Sequence, residues 1–137
     1  MATVELRFSA QPEHVRTARL VAAAVARRAG VDEAVLDEVR LAVGEACTRA
    51  VGLHRLNDVE LPVRVVLTEE EKKFSIEVGD EVPTDGGASG ATDEDDDESR
   101  MGLAVISGLV DDVEVTAGPG GGTIRMSWPT SPQLPPD

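Results

Sequence analysis

The sequence predicts a two-layer α+β sandwich: a mixed, mainly antiparallel sheet with helices gathered on one face. Three observations carry this. Alternating apolar runs come in pairs joined by short polar or Gly-rich turns, the mark of hairpins. Two long stretches after the first run carry apolar residues at three- and four-residue spacing, the period of a helix. The order is strand, two helices, two strands, loop, helix, two strands. A chain of 137 residues can bury one core without disulfides. Residues 1–129 therefore read as one domain, and the Pro-rich residues 130–137 as a frayed tail.

Each element has its own signal. Thr3-Val-Glu-Leu-Arg-Phe-Ser9 alternates like a strand. Pro12 suits the first turn of a helix, which runs to about Arg28 and stops near Gly30. Val31-Asp32 then looks like a staple residue and an N-cap. A second helix follows to about Val51, with Val35, Val39, Val43, Ala46 and Ala50 on its core face. Residues 62–68 and 74–78 alternate as paired strands around a polar turn over residues 69–73. Residues 80–98 have no apolar period and read as a long mobile loop. Residues 99–110 form another apolar-rich helix, and residues 113–116 and 123–128 a last hairpin across Gly118-Pro-Gly-Gly-Gly122. Those glycines lack the Lys-Ser/Thr of a phosphate-binding P-loop, so they read as a turn.

Charge and cysteine usage narrow the function classes. The chain holds 26 acids against 13 Lys plus Arg, for a net charge of −13, with six acids running together from Asp93 to Glu98. Such a field disfavours direct contact with nucleic acid or an anionic membrane. Cys47 has no second cysteine to pair with, which fits a reducing compartment. No signal peptide and no 18-residue apolar run is present, so a soluble, cytoplasmic protein is expected. His14 and His54 lie far apart, and neither metal-ligand spacing nor a Ser-His-Asp set suggests itself. No metal site is expected.

Four landmarks then line up in order. They are Phe8-Ser-Ala10 at the end of the first strand, Val43-Gly-Glu-Ala-Cys-Thr-Arg-Ala50 on the second helix, Val78-Gly-Asp80 closing a strand, and Glu98-Ser-Arg-Met-Gly-Leu-Ala104. Leu109-Val-Asp111 and Gly121-Gly-Thr-Ile-Arg125 follow them. Over about residues 4–128 the chain resembles the anti-sigma factors of the serine-kinase type, within the GHKL ATPase fold. The resemblance implies a regulator that binds a sigma factor and exchanges it for an anti-anti-sigma protein of the STAS type, which kinase members phosphorylate. It also implies a homodimer paired through the first strand and helix.

Residue by residue, the resemblance places Glu45 as the general base, and the alternative is a surface Glu paired with Arg49 one turn on. Arg49 stands where the family has the Asn that organises Mg²⁺. A guanidinium offers only donors and positive charge, so it repels Mg²⁺, though it can contact phosphates. Asp80 matches the acceptor of the adenine amino group and Thr123 the residue supporting that contact; the alternative is a loop opener and an ordinary strand residue. Val82 and Thr84 take the places of the glycines that follow this Asp in the family, where side chains are expected to crowd the pocket. Gly102 sits where backbone N–H groups cradle phosphate, or simply opens a helix. Arg100, and with it Glu98, takes the position of partner contacts, or is a charged helix start. The acidic lid is unlike a loop that closes over triphosphate.

The expectation is therefore a partner-exchange regulator with lost or weak kinase activity. No cofactor is required, ATP or ADP would bind weakly, and Mg²⁺ is not expected. Two alternatives stay open: an active serine/threonine kinase in which Arg49 replaces metal charge, and an acidic docking or nucleic-acid-mimic module built on residues 93–98.

Overall fold

The computed structural model describes residues 2–83, 103–110 and 112–130. Its elements are β1 (Ala2–Phe8), α1 (Glu13–Ala29), a 3₁₀ turn (Glu33–Val35), α2 (Leu36–Leu56), β2 (Val63–Glu70) and β3 (Lys73–Asp80). Residues 103–109 form a further helix, α3, and β4 (Asp112–Gly118) and β5 (Gly121–Pro129) close the chain. The five strands run in the order β1-β2-β3-β5-β4. Every pairing among them is antiparallel, so the sheet is simpler than the mixed one expected.

Alternation decides which sheet face is dry. Val63, Val65 and Leu67 of β2, Phe74, Ile76 and Val78 of β3, and Ile124, Met126 and Trp128 of β5 are buried on the face that α1 and α2 cover. Small residues let the helices sit close: Ala18, Ala22 and Ala26 of α1 and Ala42, Ala46 and Ala50 of α2 are almost fully enclosed. A buried aliphatic or aromatic side chain contributes roughly 1.5–3 kcal/mol, so this layer supplies most of the driving force. The opposite sheet face is polar. There the hydroxyl of Ser75 donates to Glu70 at 2.8 Å and meets the Ser127 hydroxyl at 3.1 Å.

The helix ends follow their local signals. Gly30 adopts a left-handed conformation (φ 100°), and its N–H reaches the Ala26 and Arg27 carbonyls. The Asp32 carboxylate accepts the N–H of Ala34 and caps the 3₁₀ turn that leads into α2.

Helix α2 runs to Leu56, one and a half turns beyond the Val51 read from the apolar spacing. The reason is His54, a fully buried polar residue that continues the core stripe past Gly52. The hairpin between β2 and β3 is also tighter than expected. Its turn comprises Glu71 and Lys72, with Lys72 in the left-handed region (φ 70°), so both strands are longer. No helix among the described residues is long and apolar enough to cross a membrane.

Candidate functional site

Two of the residues singled out in the sequence, Arg49 and Asp80, meet at one corner, where the C-terminal half of α2 faces the exit of β3 and the entry of β5. Strand β3 carries Asp80 on the same face as Val78 and Ile76, so its carboxylate points towards α2 with only 6% of the side chain exposed. Helix α2 carries Arg49 into the same space. The guanidinium Nη1 lies 4.0 Å from Asp80 Oδ2. Burial pulls the Arg49 guanidinium below its ordinary pKa, and the Asp80 carboxylate pushes it back up.

The second carboxylate oxygen is also engaged. Asp80 Oδ1 accepts the backbone N–H of Val82 at 3.0 Å and that of Gly122 at 3.2 Å. Two glycines of β5 make this fit. A Cβ on Gly121 (φ 117°) would lie 2.1 Å from the Asp80 carbonyl oxygen, and one on Gly122 would lie 2.8 Å from Asp80 Oδ2. Here glycine is a steric demand of the site as well as of the turn.

Beside this carboxylate, His54 is completely enclosed. Its Nε2 accepts the N–H of Glu81 at 2.8 Å, and its Nδ1 faces the Leu61 carbonyl at 2.9 Å. Sequence reasoning passed over His54 because it looked only for metal and triad spacing. The available signal was its helical phase: Val43, Cys47, Ala50 and His54 are spaced four, three and four, so a polar residue stands on the core stripe. Cys47, on that stripe, is fully buried, and burial pushes its thiol up to about 12.

The other expected residues are placed as follows. Glu45 is half-buried one turn before Arg49 and makes no salt bridge among the described residues; Arg49 is paired with Asp80 instead. Thr123 is registered with Gly79, and alternation along β5 sets it on the face opposite Ile124; no hydrogen bond joins it to Asp80. Val82 is 8% exposed and packs inward. Thr84, Glu98, Arg100, Gly102, the run 93–98 and residues 131–137 lie outside the described residues.

The resemblance puts a metal-organising oxygen ligand where α2 presents Arg49, and that side chain has only N–H donors. Of the Asp80 carboxylate, Oδ1 holds two N–H groups, while Oδ2 lies 4.0 Å from Arg49 and keeps lone pairs for a further donor. The Arg49 side chain does not fit as a ligand of Mg²⁺.

Comparison with known proteins gives the family. Residues 8–128 match the histidine kinase-like ATPase domain. The chain is 30% identical to the serine-protein kinase RsbW of Bacillus pumilus, over 85% of this chain and 80% of that protein. It is likewise 30% identical to the RsbW of Bacillus velezensis, over 85% and 79%. The fold matches a crystal structure of the RsbU and RsbW domains of a Mycobacterium tuberculosis protein, with a TM-score of 0.69 at 20% identity, covering 93% of this chain and 31% of that one. The chain belongs to the histidine kinase-like ATPase domain family, in the serine-kinase anti-sigma group that its motifs resemble.

Proposed function

We propose that this protein is an anti-sigma-type regulator that works by partner exchange and has lost phosphoryl transfer. Its partners are an anti-anti-sigma protein of the STAS type, a sigma factor, or both in turn. The observation that carries the reading is the Arg49–Asp80 pair, at 4.0 Å. Phosphoryl transfer depends on a metal to neutralise charge at the transferred phosphoryl group. The position that the resemblance gives to a metal-organising residue is taken by a cation, and that cation is turned onto the carboxylate that adenine would use.

The test is transfer of labelled phosphate from Mg-ATP to a STAS substrate, by the wild-type protein and by Arg49→Asn. Neither is expected to transfer label at a kinase's rate, because removing the guanidinium leaves Val82 and the Glu81–Pro83 turn in place. Strong Mg-ATP-dependent labelling by the single variant would sink the proposal.

One observation favours a second reading, a working serine kinase. Glu45 is retained on α2 and is partly accessible, as a general base needs to be. That reading requires turnover by the wild-type protein that disappears in Glu45→Ala.

A further inference from the structure

We propose that His54 is the positioning residue of the Asp80 site. Its imidazole, held as the Nδ1–H tautomer, fastens the chain leaving β3 to the end of α2 and so aims the Asp80 carboxylate at Arg49. The proposal rests on the reading above only for what that carboxylate does.

The tautomer follows from the two partners. The Glu81 backbone N–H can only donate, so the nitrogen it meets at 2.8 Å, Nε2, carries a lone pair. The Leu61 carbonyl can only accept, so the nitrogen 2.9 Å from it, Nδ1, carries the proton. The ring has no exposed surface, and so no solvent exchange for either bond. A second proton, on Nε2, would set two donors facing each other. The geometry therefore fits the Nδ1–H tautomer and not the Nε2–H one.

Three consecutive residues are pinned by different means. Asp80 is held through its side chain, with Oδ1 on the Val82 and Gly122 N–H groups. Glu81 is held through its backbone, by His54. Val82 turns inward and is buried. One helix grips the turn twice, since α2 carries both Arg49, which faces the carboxylate, and His54, which holds the next peptide. The residues after Asp80 are Glu81, Val82 and Pro83, with no glycine among them. His54 adds an anchor from outside the turn to the Asp80–Val82 bond within it. The same ring reaches Leu61, so it also ties the α2–β2 connection to this corner.

The test is carried out by NMR on the free protein. The imidazole ¹⁵N shifts of wild-type His54 should show a protonated Nδ1 and a bare Nε2. In His54→Leu, amide hydrogen exchange should accelerate about tenfold or more at Glu81, Val82 and Gly122 relative to Leu67 and Ile76 in the middle of the sheet. His54→Gln, which keeps an acceptor for Glu81, should restore protection at Glu81.

An Nε2–H tautomer in the wild type would overturn the proposal. So would exchange in His54→Leu that is unchanged, or that rises equally at Leu67 and Ile76, which would mark the ring as ordinary core. If His54→Leu does not fold, the wild-type tautomer and the Gln variant still decide. Neither partner nor nucleotide enters these measurements. Failure here leaves partner exchange standing, and failure of partner exchange leaves the role of His54 untouched.

Discussion

The middle of the sheet and the corner around Asp80 are built from the same strands, but different forces hold them. In the middle, Phe74, Ile76, Leu67 and Met126 are fully buried against Ala-rich helices, and hydrophobic burial does the work. At the corner, two glycines, a carboxylate, an arginine and a histidine meet, and specific hydrogen bonds and close approaches decide the geometry. Burial is non-directional and tolerates exchange of similar side chains. The corner is directional, so small chemical changes there should alter it without removing much apolar area.

Five substitutions and one titration sharpen that contrast, from the largest effect to the smallest. Phe74→Ala should cost about 3–5 kcal/mol in denaturant unfolding. It removes a large buried ring that stacks near Trp128 at 6.5 Å between centroids.

Gly121→Ala adds a single methyl group, yet it should cost about 3 kcal/mol or more, because the Cβ would meet the Asp80 carbonyl at 2.1 Å from a left-handed backbone. Gly118→Ala, in the same hairpin, has nothing within 4 Å of its Cβ and should stay within about 0.5 kcal/mol of wild type. Equal costs at the two glycines would remove the steric account of the corner.

Asp80→Ala should cost about 2–4 kcal/mol, since the N–H groups of Val82 and Gly122 both lose their acceptor. Heat or urea unfolding of that variant measures it.

Trp128→Phe should change stability by no more than about 1 kcal/mol in either direction. The buried indole N–H has no partner among the described residues, so its removal relieves a desolvated donor as it shortens the ring. A loss of several kcal/mol would mean that the indole makes a contact beyond packing.

The Cys47 thiol supplies the pH experiment. Its pKa is raised from 9.0 to about 12 by burial, so the folded state favours the protonated form. The resulting contribution to stability is complete below the unfolded value and is lost as pH rises through the window from about 9 to 12. In Cys47→Ala that part of the alkaline slope should vanish. Native protein at neutral pH should react with a thiol reagent only as fast as it unfolds.

Much of the fold was legible because it rests on periodicity. The strand pairs, the Gly30 stop and the Asp32 cap all follow from spacing or from a single residue's backbone preference. The end of α2 was missed because Gly52 and His54 break an apolar pattern that in three dimensions continues.

The site was legible in part. Motif order pointed to Glu45, Arg49 and Asp80, and the structure brings Arg49 and Asp80 together. Their pairing was not readable, since it depends on the register that sets Asp80 opposite Gly122 and on the height of α2 above the sheet. Val82, expected to crowd a pocket, is 8% exposed, and its backbone N–H sits on Asp80 Oδ1. Contacts between residues 42 positions apart, such as Gly122 with Asp80, leave no periodic trace in a sequence.

The central claim is partner exchange without phosphoryl transfer. Its most direct test is affinity capture of the tagged protein from its host cytosol, with and without added Mg-ATP, followed by mass spectrometry of the captured proteins and their phosphosites. The account predicts a STAS protein or a sigma factor in equal yield under both conditions, with no Ser or Thr phosphate that appears with Mg-ATP. A recovered STAS protein that gains phosphate and leaves the complex when Mg-ATP is added would contradict it.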